Sequence, residues 1–292
     1  MAEPSVLDRT VAALEPLIPA RFRSDIPVVP VVRLNGVIGI STPLKPGLTV
    51  ASVARSLDRA FNTGKARAVA LAINSPGGSA AQSHLIYRRI RQLADEKQIP
   101  VIAFIEDVGA SGGYMIACAA DEIVCDGSSI VGSIGVVGGS FGLQKLIEKI
   151  GVERRLYTSG DRKAMLDPFL EEKPEDVKRL KAIQEEIHRS FIDLVKSRRD
   201  GKLNGPEKDL FSGEYWTGNT AKELGLVDLI GDLRGVLRQR YGDKVRTPLI
   251  VDRGLFGRRL PGVFSDLRGA PDLAEDFISA IEARAIWARY GL

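Results

Sequence analysis

Apolar residues in the middle of the chain fall into short unbroken runs, separated by longer stretches with helical spacing. Ala68–Ile73 and Val101–Phe104 are continuous apolar runs bounded by turn residues, the pattern of strands buried on both faces. Val28–Val32 and Glu122–Cys125 are read the same way, and Ile134–Val137 and Glu153–Tyr157 are predicted as two further strands. Between these runs the periodicity predicts helices over Leu48–Phe61, Ser79–Asp95, Gly112–Ala119 and Phe141–Ile150. The longest predicted helix, Pro174–Arg198, opens on Glu175 and Asp176 and closes on Lys196 and Arg198, which suits the helix dipole. Its apolar stripe, Val177, Leu180, Ile183, Ile187, Phe191 and Leu194, is expected to be core or subunit contact. Strand and helix alternate, so the fold class predicted is α/β.

The ends differ in character. Residues 5–24 carry the pattern of an amphipathic helix, and a last helix is expected over Leu273–Tyr290. Arg253–Gly262 is glycine-rich, basic and apolar. The organisation expected is therefore an N-terminal amphipathic extension (1–25), one main domain (26–252) and a basic-apolar tail with a helix (253–292).

No apolar stretch reaches 18 residues, and the best candidate, Ile26–Ile40, is interrupted by two prolines, Arg33 and Asn35. The first residues lack the basic start and apolar core of a secretory signal. A cytoplasmic chain is the expectation, with peripheral contact on the inner face of a membrane through the basic-apolar tail as a possible addition. A net charge of +4, from 41 basic and 37 acidic residues, is too mild to imply a nucleic-acid partner. Zinc-finger spacing, RNA-binding aromatic signatures and a Walker loop are all absent from the sequence. Cys118 and Cys125 have apolar neighbours and no ligand partners at metal spacing, so they read as small core residues. No metal or organic cofactor is expected.

Candidate chemistry sits in two glycine turns. Gly109-Ala110-Ser111-Gly112-Gly113-Tyr114 joins a predicted strand to a small-residue helix. A serine at such a corner keeps its hydroxyl accessible, and free N–H groups at the following helix start favour a developing oxyanion. Asn74-Ser75-Pro76-Gly77-Gly78-Ser79 repeats the strand, glycine turn, helix order, and its backbone amides are candidates for a second oxyanion donor. A serine nucleophile also needs a base. The two histidines, His84 and His188, lie in predicted helices, one before and one far after Ser111; sequence distance alone does not exclude them. The other candidate is a lysine, and Lys163 follows the predicted strand 153–157 in a loop-like segment. A lysine accepts a proton only when desolvated enough to be neutral, and Ala164, Met165, Leu166 and Phe169 would offer an apolar wall.

Five motifs occur in a telling order. They are Asn74-Ser75-Pro76-Gly77-Gly78, Ala110-Ser111-Gly112-Gly113-Tyr114, Gly132-Ser133-Ile134-Gly135-Val136, Ser159-Gly160-Asp161-Arg162-Lys163 and Thr217–Asp228. Together the set, over roughly residues 30 to 240, resembles the S49 serine peptidases, the signal peptide peptidase A and SohB-like family. The resemblance implies a crotonase/ClpP-like fold and a Ser-Lys dyad, with Ser111 as nucleophile and Lys163 as general base. It further implies Gly78 and Gly112 as oxyanion donors and Ser133 as the residue that orients the lysine. Extended hydrophobic peptides such as released signal peptides are the implied substrates, and a homo-oligomer of four or more copies the implied assembly. The chain departs from the family in lacking a hydrophobic anchor, in carrying Met115 where a second aromatic is expected, and in having one copy of each motif. Two other classes remain open at this point: a crotonase-type acyl-CoA enzyme using the same glycine turns, and a non-catalytic peptide-binding or assembly subunit.

Overall fold

The structure, a computed structural model, describes residues 26–40, 47–160, 162–251 and 273–292. The predicted helix within 5–24 and the glycine-rich basic segment 253–262 lie outside the described residues.

Among the described residues, eight strands form one sheet in the order β6-β5-β3-β2-β1-β8, with β4 on β3 and β7 on β4. They are β1 Val31–Asn35, β2 Val69–Ser75, β3 Val101–Ala110, β4 Glu122–Cys125, β5 Ile130–Gly132, β6 Tyr215–Thr217, β7 Leu229–Ile230 and β8 Leu249–Ile250. All pairs are parallel except β5 with β6. Alternation splits the apolar runs between two faces. Val69, Leu71 and Ile73 of β2 join Val101, Ala103 and Ile105 of β3 in one core. Ala68, Ala70 and Ala72 join Ile102 and Phe104 in the other. This two-sided burial is why the runs read as unbroken.

Helices cover both faces. On the first lie α1 (Val50–Phe61), α2 (Ala80–Lys97), α3 (Gly112–Ala117) and the end of α5 (Pro174–Arg198). Between α3 and α5 runs the short α4, Gln144–Lys149. The turns α6 (Glu207–Leu210) and α7 (Gly218–Glu223) follow α5. On the second face lies α8 (Leu233–Tyr241), through Val236 and Leu237. The chain ends in α9, Leu273–Ala288. Thr49 caps α1 with a full capping box, and Ser79 caps α2 by accepting from the Gln82 amide.

β3 uses one edge for two partners. Its first half, Ile102–Ile105, pairs with β4, and its last residues, Val108–Ala110, pair with β5. At the fork the buried Ser129 hydroxyl donates to the Glu106 carbonyl, with that of Ile105 also in reach. The second half of β3 carries the chain past β4 to the corner at Ser111.

Two predicted strands do not form. Over 134–137 there is no strand, and β5 comes earlier, at Ile130–Gly132. Gly132 and Ser133 both have positive φ (108° and 53°), which turns the chain out of the sheet before Ile134. Residues 153–157 are exposed and make no ladder. The apolar stripe of α5 is core only at its C-terminal end: Phe191 and Val195 are buried, whereas Ile183 is exposed. With α4 and the loops on either side, the free half of α5 leaves an exposed apolar arm, in which Phe141 is 82% and Tyr157 90% exposed.

A buried ion pair fastens the end of α5 under the sheet. Arg199, almost fully buried, donates to Asp228 at 2.7 Å and to the Gly225 carbonyl. Asp228 also accepts from Lys202 and from the Ile123 amide of β4. Burial pushes the Asp228 carboxyl upward, but the hydrogen bonds from Arg199, Lys202 and Ile123 outweigh it and hold the group below the usual carboxylate range. Its stabilising contribution is therefore present above the ordinary carboxylate pKa and is lost as pH falls through the depressed folded value. Asp228→Asn is expected to cost about 3 kcal/mol at neutral pH by leaving the Arg199 charge unpaired. Denaturant unfolding of both proteins checks this, and the gap between them should narrow as the pH is taken below roughly 4.

Candidate active site

The C-terminal ends of β2, β3 and β5 converge on one cleft of about 690 Å³. Ser111 follows β3 as the residue before α3, with φ 51° and ψ −122°. Such a backbone is strained for any residue with a Cβ, and strain of this kind at a strand-to-helix corner lifts a side chain out of the sheet. The corner is held by the Ser111 amide, which donates to the Gly132 carbonyl of β5 at 2.7 Å. The Ser111 side chain makes no cap hydrogen bond to α3, and among the described residues its hydroxyl has no partner.

α3 behind it is buried at every position, and Tyr114 anchors it by donating from its hydroxyl to the Leu226 carbonyl at 2.7 Å. Burial pushes the Cys118 and Cys125 thiols up to about 12 each, so both stay protonated and serve as packing, as their apolar neighbours suggested.

The second turn is knitted to the first. The Asn74 side chain donates to Asp107 and accepts from the Val108 amide, clamping β3 near the register shift between Ile73 and Ser75. The Ser75 hydroxyl donates to the Gly36 carbonyl and accepts from the Gly77 amide. Gly77 has φ 98°, and a Cβ there would stand 2.7 Å from the Ser111 Cβ and 2.9 Å from the Gly112 nitrogen. The two turns therefore touch backbone to backbone. Gly78 and Gly112 both line the cleft, and neither amide donates to another described residue. Two unpaired N–H groups beside a serine hydroxyl are the arrangement that stabilises a tetrahedral oxyanion.

Ser133 also lines the cleft, 8% exposed, with its amide on the Glu214 carbonyl. Ser111, Gly78, Gly112 and Ser133 are thus brought together. Lys163 is not: it is exposed, in the loop that closes the apolar arm, and does not line the Ser111 cleft. The two histidines separate. His84 is exposed and stacks on Tyr87, away from the cleft. His188 of α5 lines the cleft, and its Nε2 bonds the Ile134 carbonyl at 3.0 Å. Two aromatic contributors escaped the sequence reading: Tyr290, just after α9, lines the cleft, and Tyr215 of β6 packs edge-on against it at 5.1 Å. Nothing in the sequence marks a tyrosine in a terminal helical pattern as a cleft residue.

A family model described as peptidase family S49 matches residues 94–243, half of the chain. The chain belongs to peptidase family S49. A putative protease of Synechocystis is 34% identical over 211 residues, covering 70% of this chain and 75% of that protein. The chloroplastic serine protease SPPA of Arabidopsis thaliana is 38% identical over 172 residues, 58% of this chain and 25% of that one. A Brucella abortus protein named Na(+)/H(+) antiporter NhaA is 57% identical over 287 residues, 96% of this chain but only 39% of its own length. That name describes a protein of which this S49 chain spans the smaller part, and among the described residues no helix is long and apolar enough to cross a membrane. S49 membership carries the crotonase/ClpP-like fold class with it, and the parallel sheet with helices on both faces agrees.

Gly77→Ala tests the contact between the turns. It is expected to lower stability on the order of 2 kcal/mol or more, because neither the positive φ nor the neighbouring backbone can yield cheaply. Thermal and denaturant unfolding measure it, and a variant as stable as the parent would remove the contact as a structural constraint.

Proposed function

We propose that the chain is a serine endopeptidase working through a Ser-Lys dyad. The observation that carries the reading is Ser111: strained at φ 51°, without a hydroxyl partner among the described residues, and lining one cleft with Gly78 and Gly112 in a chain of the S49 peptidase family. In this reading Lys163, brought to the cleft by assembly, takes the proton from the Ser111 hydroxyl as the oxygen attacks the scissile carbonyl. The Gly78 and Gly112 amides hold the oxyanion, and the lysine returns the proton to the leaving amine. Water then repeats the sequence on the acyl-enzyme. No step needs a metal or organic cofactor. Apolar walls at Met115, Val136, Ile187 and Phe191 suit extended hydrophobic peptides, of which released signal peptides are one class.

Assembly belongs to the same proposal. Lys163 shares the arm that exposes Phe141 and Tyr157, and an arm packed on a neighbouring copy would cover that surface and desolvate the lysine beside a serine. The protein is therefore expected to be a homo-oligomer, and the family resemblance puts it at four or more copies. Light scattering at micromolar concentration should report it, whereas monomer throughout would overturn the assembly.

His188 is the rival base, since it lines the Ser111 cleft while Lys163 does not. Its Nε2 donates to the Ile134 carbonyl, which leaves Nδ1 as the ring nitrogen that would act as base. The two are separated by substitution. Ser111→Ala and Lys163→Ala should each reduce peptide turnover to near background, and the double variant should be little worse, because the pair acts as a unit. Lys163→Arg should fail too, as guanidinium stays protonated. A fluorophosphonate adduct on Ser111, located by mass spectrometry, should need Lys163. A folded Lys163→Ala protein with near-normal turnover, together with an inactive His188→Ala, would transfer the role of base to the histidine.

A further inference from the structure

The end of the chain reaches the Ser111 cleft, and nothing in the peptidase chemistry calls for it there. Ile286, Arg289 and Tyr290 form part of the cleft wall. The Tyr290 hydroxyl can donate to the Ser133 hydroxyl at 3.3 Å or to the Pro76 carbonyl at 3.4 Å. Pro76 lies in the turn that carries Gly77 and Gly78, and Ser133 follows β5. The Tyr290 ring meets Tyr215 edge-on, and the Tyr215 hydroxyl donates to the Arg289 carbonyl at 3.2 Å. Tyr290 therefore reaches two of the three strand ends that build the site, and Arg289 reaches β6.

We propose that residues 286–292 are an autoinhibitory latch. Closed, the latch engages the Ser133 hydroxyl and narrows the cleft beside Ser111; a peptide needs the latch open. The proposal rests on the peptidase reading of that cleft. It also follows from how lightly the segment is held. Both Tyr290 hydrogen bonds are longer than the 2.5–3.0 Å of a strong O–H···O bond. The ring pair adds on the order of 1 kcal/mol. Upstream, Ile281 is 51% exposed, and Arg284, Ala285 and Ala288 are exposed as well, so α9 is not built into the core along that stretch. A contact of this strength holds the resting site closed yet yields to the binding energy of an extended peptide.

Ser133 makes this more than steric obstruction. Its hydroxyl is the group assigned to orient the lysine, and Tyr290 is its side-chain partner in the closed form. Opening the latch frees that hydroxyl and widens the cleft in one movement.

The test uses the full-length chain and its Tyr290→Phe and Tyr290→Ala variants. The rate of fluorophosphonate labelling at Ser111 is followed by mass spectrometry, and amide hydrogen exchange over 279–292 is measured on the same samples. Tyr290→Ala should label several-fold faster, up to about tenfold if the latch is closed nine-tenths of the time, with Tyr290→Phe between it and the parent. Exchange over 286–292 should rise in the same order. Unchanged exchange in both variants overturns the docking, whatever the labelling does. Faster exchange with unaltered labelling overturns the inhibitory role. Absence of labelling at Ser111 in all three proteins instead sinks the peptidase reading, and the inhibitory role with it, while exchange still reports whether the segment docks.

Discussion

The site depends on two turns pressed together at backbone distance. Each ends a buried parallel strand, and each reverses into a helix on the same face of the sheet. With Gly77 against Ser111 and Gly112, the turns have no room for side chains between them. Gly113 in turn lies on the Ser75 carbonyl, so the packing continues from the first turn to the helix behind the second. The result is that two amides and a hydroxyl, contributed by residues far apart in sequence, are held by main chain rather than by rotamers. Such preorganisation is what makes oxyanion stabilisation effective, since little has to reorganise when charge develops.

Much of this was legible in the sequence, for a physical reason. β2 and β3 are buried on both faces, so their apolar runs are unbroken, and the turns that follow need glycine wherever backbone meets backbone. Short-range demands of that kind leave clear marks. The strands predicted at 134–137 and 153–157 failed because a local run of residues does not reveal whether a partner edge exists. Ile134 is buried but lies beyond two positive-φ residues, and 153–157 are exposed throughout. β6, β7 and β8 are only two or three residues long and owe their existence to neighbours, so periodicity had nothing to detect. The α5 stripe was real as a pattern, yet the chain itself covers only its last turns.

Within the site, the division is similar. Ser111, Gly78, Gly112 and Ser133 sit at ends of strands whose order the sequence implies, and they do meet. Lys163 belongs to an arm whose position the core does not fix, so its motif could be recognised while its relation to Ser111 could not be read. Sequence distance left His188 open as a base, and α5 brings it to the cleft. Tyr290 had no signal at all: an aromatic in a terminal helical pattern is indistinguishable from a packing residue until its hydroxyl is seen against Ser133.

The forked pairing of β3 has a broader consequence. Because β4 supports only its first half and β5 its second, the sheet opens a crevice where its strand order divides, and the cleft lies just beyond that division. The groove is therefore a product of topology, laid down before any reactive side chain is chosen. A chain without the hydroxyl at position 111 would keep the same furrow and the Gly78 and Gly112 amides that line it. On the proposed mechanism, hydrolysis and mere holding then differ by one atom, not by a change of fold.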